Sequence, residues 1–311
     1  MTKISAIGNF HTHWYAHHWI GLRESLRQLP GVEVQILDPR QTSDAQVRAN
    51  LCEFQPDIVL CCTMDACSDF ILDRVKEWGA FTVLWFCDLR RPEPRDLAGR
   101  LDLLAMTGAG WLDDYAKAWG LNAESQTIWL PQACLPLSEM LPYDPTWACD
   151  ILHIGSEGHP EFHEGRRFLF QTIRRRYGRR FRMLNPATDY EKAEITAELP
   201  RLYRSAHISI GACSAECAGY HSNRIFLATG NAACYFCNDY EGLDSLFMPG
   251  EEVAVYDDVT DVDAVLTQIE YLIQDELTRE RIREAGFHRA QEQHTYPKRV
   301  RMLFNKIQER R

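Results

Sequence analysis

The chain has 311 residues, 45% hydrophobic and 25% charged, with a formal net charge of −10 at pH 7. That length suits two ordinary domains, each with its own core, and the acidic balance argues against broad nucleic-acid affinity through counterion release. No stretch reaches the roughly 18 consecutive apolar residues that a membrane-spanning helix requires.

The first half reads as strands alternating with helices. KISAIGNF is strand-like and is followed by the amphipathic AHHWIGLRESLRQL; VEVQILDP is a second strand, followed by the helix SDAQVRANLCEF. PDIVLCCTM, FTVLWFCDL, LDLLAMTGA and SQTIWLPQA continue as third to sixth strands. Such alternation predicts a parallel, doubly wound sheet. The first 147 residues hold 12 basic against 19 acidic side chains. Four prolines between Pro131 and Trp147 fit neither a helix nor a central strand, so a linker is expected there.

A second α/β unit starts after it. CDILHIGSEGHP is a strand entering a loop at Gly155 and Ser156, followed by a helix through Arg166 to Arg176, the strand FRMLN, the helix ELPRLYRSA and the strand HISIGAC. Eight arginines between 166 and 182 read best as a solvated helix face, with phosphate or polyanion binding as the other reading. SNRIFLATG then has Ser222 as a helix N-cap and Gly230 as a stop. AACYFCN is a buried strand, GLDSLFMPGEEVAVYDD carries a Pro249-Gly250 turn and a strand from Glu252 to Tyr256, and the rest is helical with a break expected near Gly286.

The eleven cysteines need not be disulfides in a core-rich chain of this length, since Cys61-Cys62, Cys234 and Cys237 lie in apolar runs. Reduced thiols and a non-exported, cytoplasmic protein are expected, because the first twenty residues lack an apolar leader. Cys213, Cys217, Cys234 and Cys237 have spacings that superficially suggest zinc, but Cys234 and Cys237 would point to opposite faces of one strand. His13 and His17 have the spacing of a helical metal pair without an evident third ligand. No metal is expected.

The ordered run of Arg224, Phe226, Ala228, Gly230, Gly242, Leu243, Phe247, Pro249, Gly250 and Glu251, then His294, Thr295, Tyr296 and Arg299, resembles the donor half of GT-B fold glycosyltransferases. Within these it is most similar to the CgeB-like, spore-maturation type group related to the retaining family 4. The resemblance is close over 149 to 305 and looser over 1 to 140, where WF-x-D at Trp85, Phe86 and Asp88 and the run from Trp129 to Ala133 match.

It implies an α/β GT-B architecture of two Rossmann-like doubly wound domains facing a central cleft: an acceptor-side domain over 1–140, a linker over 141–148, a donor domain over 149–292 and a crossover helix over 293–311. The implied activity is transfer of a sugar from a nucleotide diphosphate sugar, UDP-sugar above others, to a hydroxyl acceptor, with no cofactor and no obligatory metal. The acceptor could be a glycan, a protein, a metabolite or a hydroxymethylated DNA base, as in phage-infected hosts. The arginine tract favours DNA weakly and the net charge opposes it.

Donor-binding candidates are Gly8, Asn9, Gly155, Ser156, Ser222, Asn223, Arg224, Asp239, Glu241, Gly242 and Leu243. His11, His13 and Asp88 are the candidate bases, needed if the reaction inverts and positioners if it retains configuration. Related families usually carry a ribose-binding glutamate after the helix phenylalanine, where this chain has Leu227. Asp239 or Glu241 would have to replace it. Otherwise the chain is a non-catalytic GT-B binding module; a nucleotide-sugar epimerase on the same fold is a third reading.

Overall fold

The computed structural model describes residues 1–10, 16–88, 90–157, 164–185, 193–212 and 217–311, without the side chains of 16–17 and 193–197. The chain divides into two compact units, one holding the residues up to Gln132 together with Tyr296–Arg311, the other holding Ala133–Thr295.

The first unit contains β1 (Thr2–Ile7), α1 (Ala16–Arg27), β2 (Val32–Leu37), α2 (Asp44–Phe54), β3 (Ile58–Cys61), α3 (Asp69–Glu77), β4 (Phe81–Phe86), β5 (Leu103–Met106), α4 (Leu112–Trp119), α5 (Ala123–Gln126) and β6 (Thr127–Trp129). Its six strands lie in the order β2-β1-β3-β4-β5-β6, and every pairing is parallel. The helices start where polar side chains satisfy free N–H groups: Ser43 Oγ accepts from Gln46 N at 3.3 Å and Ser68 Oγ from Ile71 N at 3.5 Å. Strands β3, β4 and β5 are buried almost throughout, as a sheet covered on both faces demands.

The second unit contains β7 (Cys149–Ile154), α6 (Glu164–Tyr177), β8 (Phe181–Leu184), α7 (Ala193–Ser205), β9 (Ala206–Gly211), α8 (Asn223–Gly230), β10 (Tyr235–Asn238), β11 (Ala254–Tyr256), α9 (Val262–Gln274) and α10 (Glu276–Gln293). Its five parallel strands run β11-β10-β9-β7-β8. Sequence order therefore reverses between β7 and β9, the place where open α/β sheets form a crevice beyond the carboxyl ends of their strands. In the first unit the same reversal lies between β1 and β3.

Two expectations are corrected. The helical break falls at Asp275, whose carboxylate caps α10 by accepting from Thr278 N at 3.0 Å, and α10 runs unbroken through Gly286. Gly286 is there for space: a Cβ on it would lie 2.3 Å from the Glu252 carbonyl oxygen. The last strand begins at Ala254 instead of Glu252, because Met248 to Glu252 are tied into a turn in which Glu252 N donates to Met248 O at 2.9 Å.

The proline-rich segment is no free tether. Gln291 Nε2 donates to Leu135 O at 3.2 Å and to Gly230 O at 2.9 Å, while its Oε1 accepts from Leu137 N at 2.9 Å. Finally, α11 (Tyr296–Gln308) belongs to the first unit and packs along α1. Gly21 leaves room for it, since a Cβ there would meet the Tyr296 ring at 2.1 Å, and the Tyr296 hydroxyl hydrogen-bonds His18 Nδ1 at 2.7 Å.

Candidate functional site

At the carboxyl end of β7 the chain turns at Gly155, with φ +150°. A Cβ on Gly155 would lie 2.4 Å from Arg224 Nη2 and 3.1 Å from His153 Nε2. Only glycine fits. Arg224, in the first turn of α8, donates from Nε to Ile154 O at 2.7 Å. A cation at a helix N-terminus opposes the dipole, and the strand-end carbonyl helps to offset this here.

His153 is fully buried on β7, one of the two strands that flank the reversal. Its Nδ1 lies 2.8 Å from the Ile210 carbonyl, so Nδ1 carries the proton and donates. Burial first, then the charges of Arg224 and Arg166, hold its pKa well below the usual histidine value. The neutral ring presents Nε2 as a lone pair beside the Ser156 carbonyl at 3.4 Å. Arg166 also reaches that end, donating from Nη2 to Ser156 O. Two guanidinium groups thus converge on the Gly155-Ser156 turn.

The start of α8 is the second part. Ser222 is its N-cap, accepting from Arg224 N at 3.5 Å. Asn223 is 8% exposed, yet neither its Oδ1 nor its Nδ2 has a hydrogen-bond partner among the described residues. Buried amides are rarely left so, because an unmet donor or acceptor costs roughly 1–3 kcal/mol. Nearby His221 donates from Nε2 to Gly242 O at 3.2 Å, packs at a tilt on Tyr240 with ring centroids 4.8 Å apart, and has a buried Nδ1 with no hydrogen-bond partner among the described residues. Burial lowers its pKa to about 4. Tyr203 Oη is likewise buried with no hydrogen-bond partner among the described residues, and Arg224 is close enough to act on its ionisation.

Gly242 has φ +89°, and a Cβ on it would meet Gly219 Cα at 3.0 Å. The two loops touch backbone to backbone, with Gly219 N donating to Glu241 O at 3.0 Å, and so fix the segment leading into α8. Asp239 and Glu241 are exposed, and Leu243 is buried core. Leu227 is half-buried on α8.

In the first unit Gly8 follows β1 at its own reversal, where a Cβ would lie 2.9 Å from Cys62 Cβ and 3.0 Å from Trp19. Asn9 follows it, half-buried. Asp88 lies two residues past β4 with an exposed carboxylate 3.4 Å from Arg90 Nη2. His11 and His13 lie outside the described residues, as does Cys213. Among the described residues no group of three or more His, Cys, Asp or Glu side chains could hold a metal.

The structure therefore gathers Gly155, Ser156 and Arg224 at one place, with Ser222 and Asn223 in the same helix start. His153, His221, Tyr203 and the role of Arg166 went unread in the sequence. A histidine inside the apolar strand CDILHI, two residues before the Gly-Ser turn, was the available signal. Much of the arginine tract is tied up otherwise: Arg174 pairs with Glu157, Arg176 with Glu270 and Arg180 with Asp150.

Comparisons with known proteins bear on the whole chain. Residues 165–305 match the family model described as glycosyl transferase-like. A comparison with curated proteins gives no match. Among solved structures, HepE of Anabaena in complex with UDP and glucose covers 99% of this chain and 100% of its own at 11% identity, with a TM-score of 0.67. A glycosyltransferase from Rickettsia africae gives 10% identity, 99% and 98% coverage and a TM-score of 0.66. Sucrose-phosphate synthase from Thermosynechococcus elongatus gives 11%, 99% and 100%, and 0.64. The chain has the GT-B fold, and its residues 165–305 carry a glycosyl transferase-like sequence.

Proposed function

We propose that the protein is a glycosyltransferase that moves a sugar from a nucleotide diphosphate sugar to a hydroxyl acceptor, with the donor seated at the carboxyl end of the second unit's sheet. One observation carries the placement: buried Asn223, with both amide atoms unmet, stands beside Arg224 at a helix start and strand reversal. The positive end of the helix and the guanidinium forks there suit a diphosphate, whose developing charge as leaving group is the main thing the protein must stabilise. A UDP-sugar is the proposed donor, since HepE is recorded with UDP and with UDP-glucose. Asp239 or Glu241 takes the ribose. No cofactor or metal is required in this reading, the chain works in the cytoplasm, and its finer kinship is with the CgeB-like group.

A second reading rests on Leu227. An apolar, half-buried side chain stands where a ribose-binding carboxylate is expected, which favours a non-catalytic binding module. The test is a hydrolysis panel of UDP-, GDP- and dTDP-sugars with the wild type beside Arg224→Ala. Slow donor hydrolysis that the variant loses supports transfer; saturable binding without turnover at high enzyme supports the module. Conversion of donor to an epimer without any acceptor would point to an epimerase. No binding of any donor would overturn the proposal.

A further inference from the structure

The arginine tract that begins on α6 divides into two sets. Arg166 turns in to the Ser156 carbonyl, and Arg174, Arg176 and Arg180 pair with Glu157, Glu270 and Asp150. Arg167, Arg175 and Arg179 have no ion-pair partner among the described residues; Arg175 donates from Nη2 to Thr172 Oγ1 at 3.1 Å, within its own helix. Leu169, Phe170, Ile173 and Tyr177 form the buried side of α6, and Arg176 reaches across to α9 through Glu270. Opposite the buried side, Phe168, Gln171 and Arg175 are exposed at spacings of three and seven and so share one face, with Arg167 at its flank. Arg179 follows, exposed, in the short turn Gly178–Arg180.

Two members of this face are not explained by the fold. Arg175 lies in the last turn of the helix, at the negative end of its dipole, where a cation is favoured. Arg167 stands in the first turn, where the same dipole opposes it. Phe168 is 53% exposed, although a ring of that size gains from burial. A single exposed apolar residue is ordinary. An exposed aromatic ring among three unpaired arginines is a more specific combination, and it suits the headgroup layer of an anionic bilayer: guanidinium groups reach the phosphates while the ring enters the boundary with the acyl chains.

The local charge agrees. Among the described residues Glu164 is the carboxylate on the same face, a turn before Phe168, so three guanidinium groups stand against one acid. The chain's net charge of −10 acts weakly here, because at physiological salt charges farther than ~8 Å are largely screened. A duplex would meet the same arginines but gives the Phe168 ring no apolar layer to enter. A single strand is held in a groove, and a helix face is convex. We propose that the outer face of α6 docks the protein on an anionic phospholipid surface, with Arg167, Arg175 and Arg179 at lipid phosphates and the Phe168 ring at the acyl boundary. This surface stands whether or not the second unit binds a sugar nucleotide.

The test is co-sedimentation of the full chain with vesicles of phosphatidylcholine alone, and of phosphatidylcholine with an equal part of phosphatidylglycerol, at low and at high salt. Binding to the anionic vesicles is expected, weakening as salt rises, with little binding to the neutral ones. Each arginine near such a surface is worth about fivefold in partition, so Arg175→Gln combined with Arg179→Gln should weaken binding on the order of 20-fold and flatten its salt dependence. Phe168→Ala should weaken binding and leave the salt dependence as it was. All three residues are exposed, so these substitutions leave the core intact. No greater binding to anionic than to neutral vesicles, or anionic binding that neither variant changes, would overturn the proposal. Retention on single- or double-stranded DNA at the same salt, without vesicle binding, would make this a nucleic-acid contact and overturn it equally.

Discussion

Arg224 Nε donates to the carbonyl of Ile154 at 2.7 Å, tying the first turn of α8 to the last residue of β7. That bond aims the guanidinium over the Gly155 turn, where any side chain would collide with it. Removing the guanidinium with Arg224→Ala should weaken UDP binding by about 10- to 100-fold, the usual worth of a hydrogen bond to a charged group. Arg224→Lys should recover little, since an ammonium lacks the planar fork. Equal UDP affinity in wild type and Arg224→Ala would show that the anion sits elsewhere.

Gly155→Ala tests the same geometry from the other side. The new methyl must displace Arg224 Nη2, 2.4 Å away, and the residue keeps a φ of +150° that side chains avoid. Donor binding should fall with a loss of fold stability of roughly 1–3 kcal/mol. Both are read from urea unfolding curves recorded with and without UDP.

Three buried histidines make stability depend on pH. His18 and His221 have pKa values lowered to about 4, and His153 is held well below 6.5, all chiefly by burial. The unfolded chain therefore binds more protons than the folded one below the ordinary histidine pKa of about 6.5. Stability from these groups is fully present above that value and is lost as pH falls towards 4. His18 and His221 are each worth on the order of 3 kcal/mol across that window. Urea unfolding at pH 7 and at pH 5 should show the decline, and His18→Gln should flatten it. An unchanged slope in that variant would remove His18 from the account.

Arg283 organises the amino edge of the second unit. It is 1% exposed and donates to the carbonyls of Tyr203, Arg204, Ala206, His207 and Ala232 at 2.5 to 3.5 Å. Arg283→Met should cost ~3 kcal/mol or more, because it leaves several buried carbonyls unmet at once. Thermal and urea unfolding measure this directly.

Gly230, which ends α8, packs against Cys134, and a Cβ on it would lie 2.3 Å from Cys134 Cβ. Gly230→Ala should destabilise the fold by roughly 1–3 kcal/mol through overpacking. Adding Cys134→Gly should recover part of that loss, and a double-mutant cycle by urea unfolding gives the coupling. Independent, additive losses would contradict the contact.

Much of the architecture was legible because its signals are local. Ser222 and Gly230 mark the two ends of α8, and the strand-helix alternation predicted two parallel sheets. The residues behind the family resemblance turn out to include many that pack: His294 donates from Nε2 to Leu246 O at 2.8 Å and lies against Phe226 and Phe247, while Arg299 Nε donates to Pro131 O at 3.2 Å. What was not legible depends on distant partners. Nothing within CDILHI says that His153 will bond Ile210, and nothing in the arginine tract separates Arg166, which reaches the Gly155-Ser156 turn, from Arg176, which pairs with Glu270. Gly286 read as a break because glycine weakens helices, whereas here the missing side chain makes room for the Glu252 carbonyl.

The most direct measurement is calorimetric titration of UDP into the wild type and Asn223→Ala. Saturable binding that weakens about tenfold when the buried Asn223 amide is lost is the result expected of a nucleotide at the carboxyl end of the second sheet. UDP binding that ignores Asn223→Ala would contradict that placement.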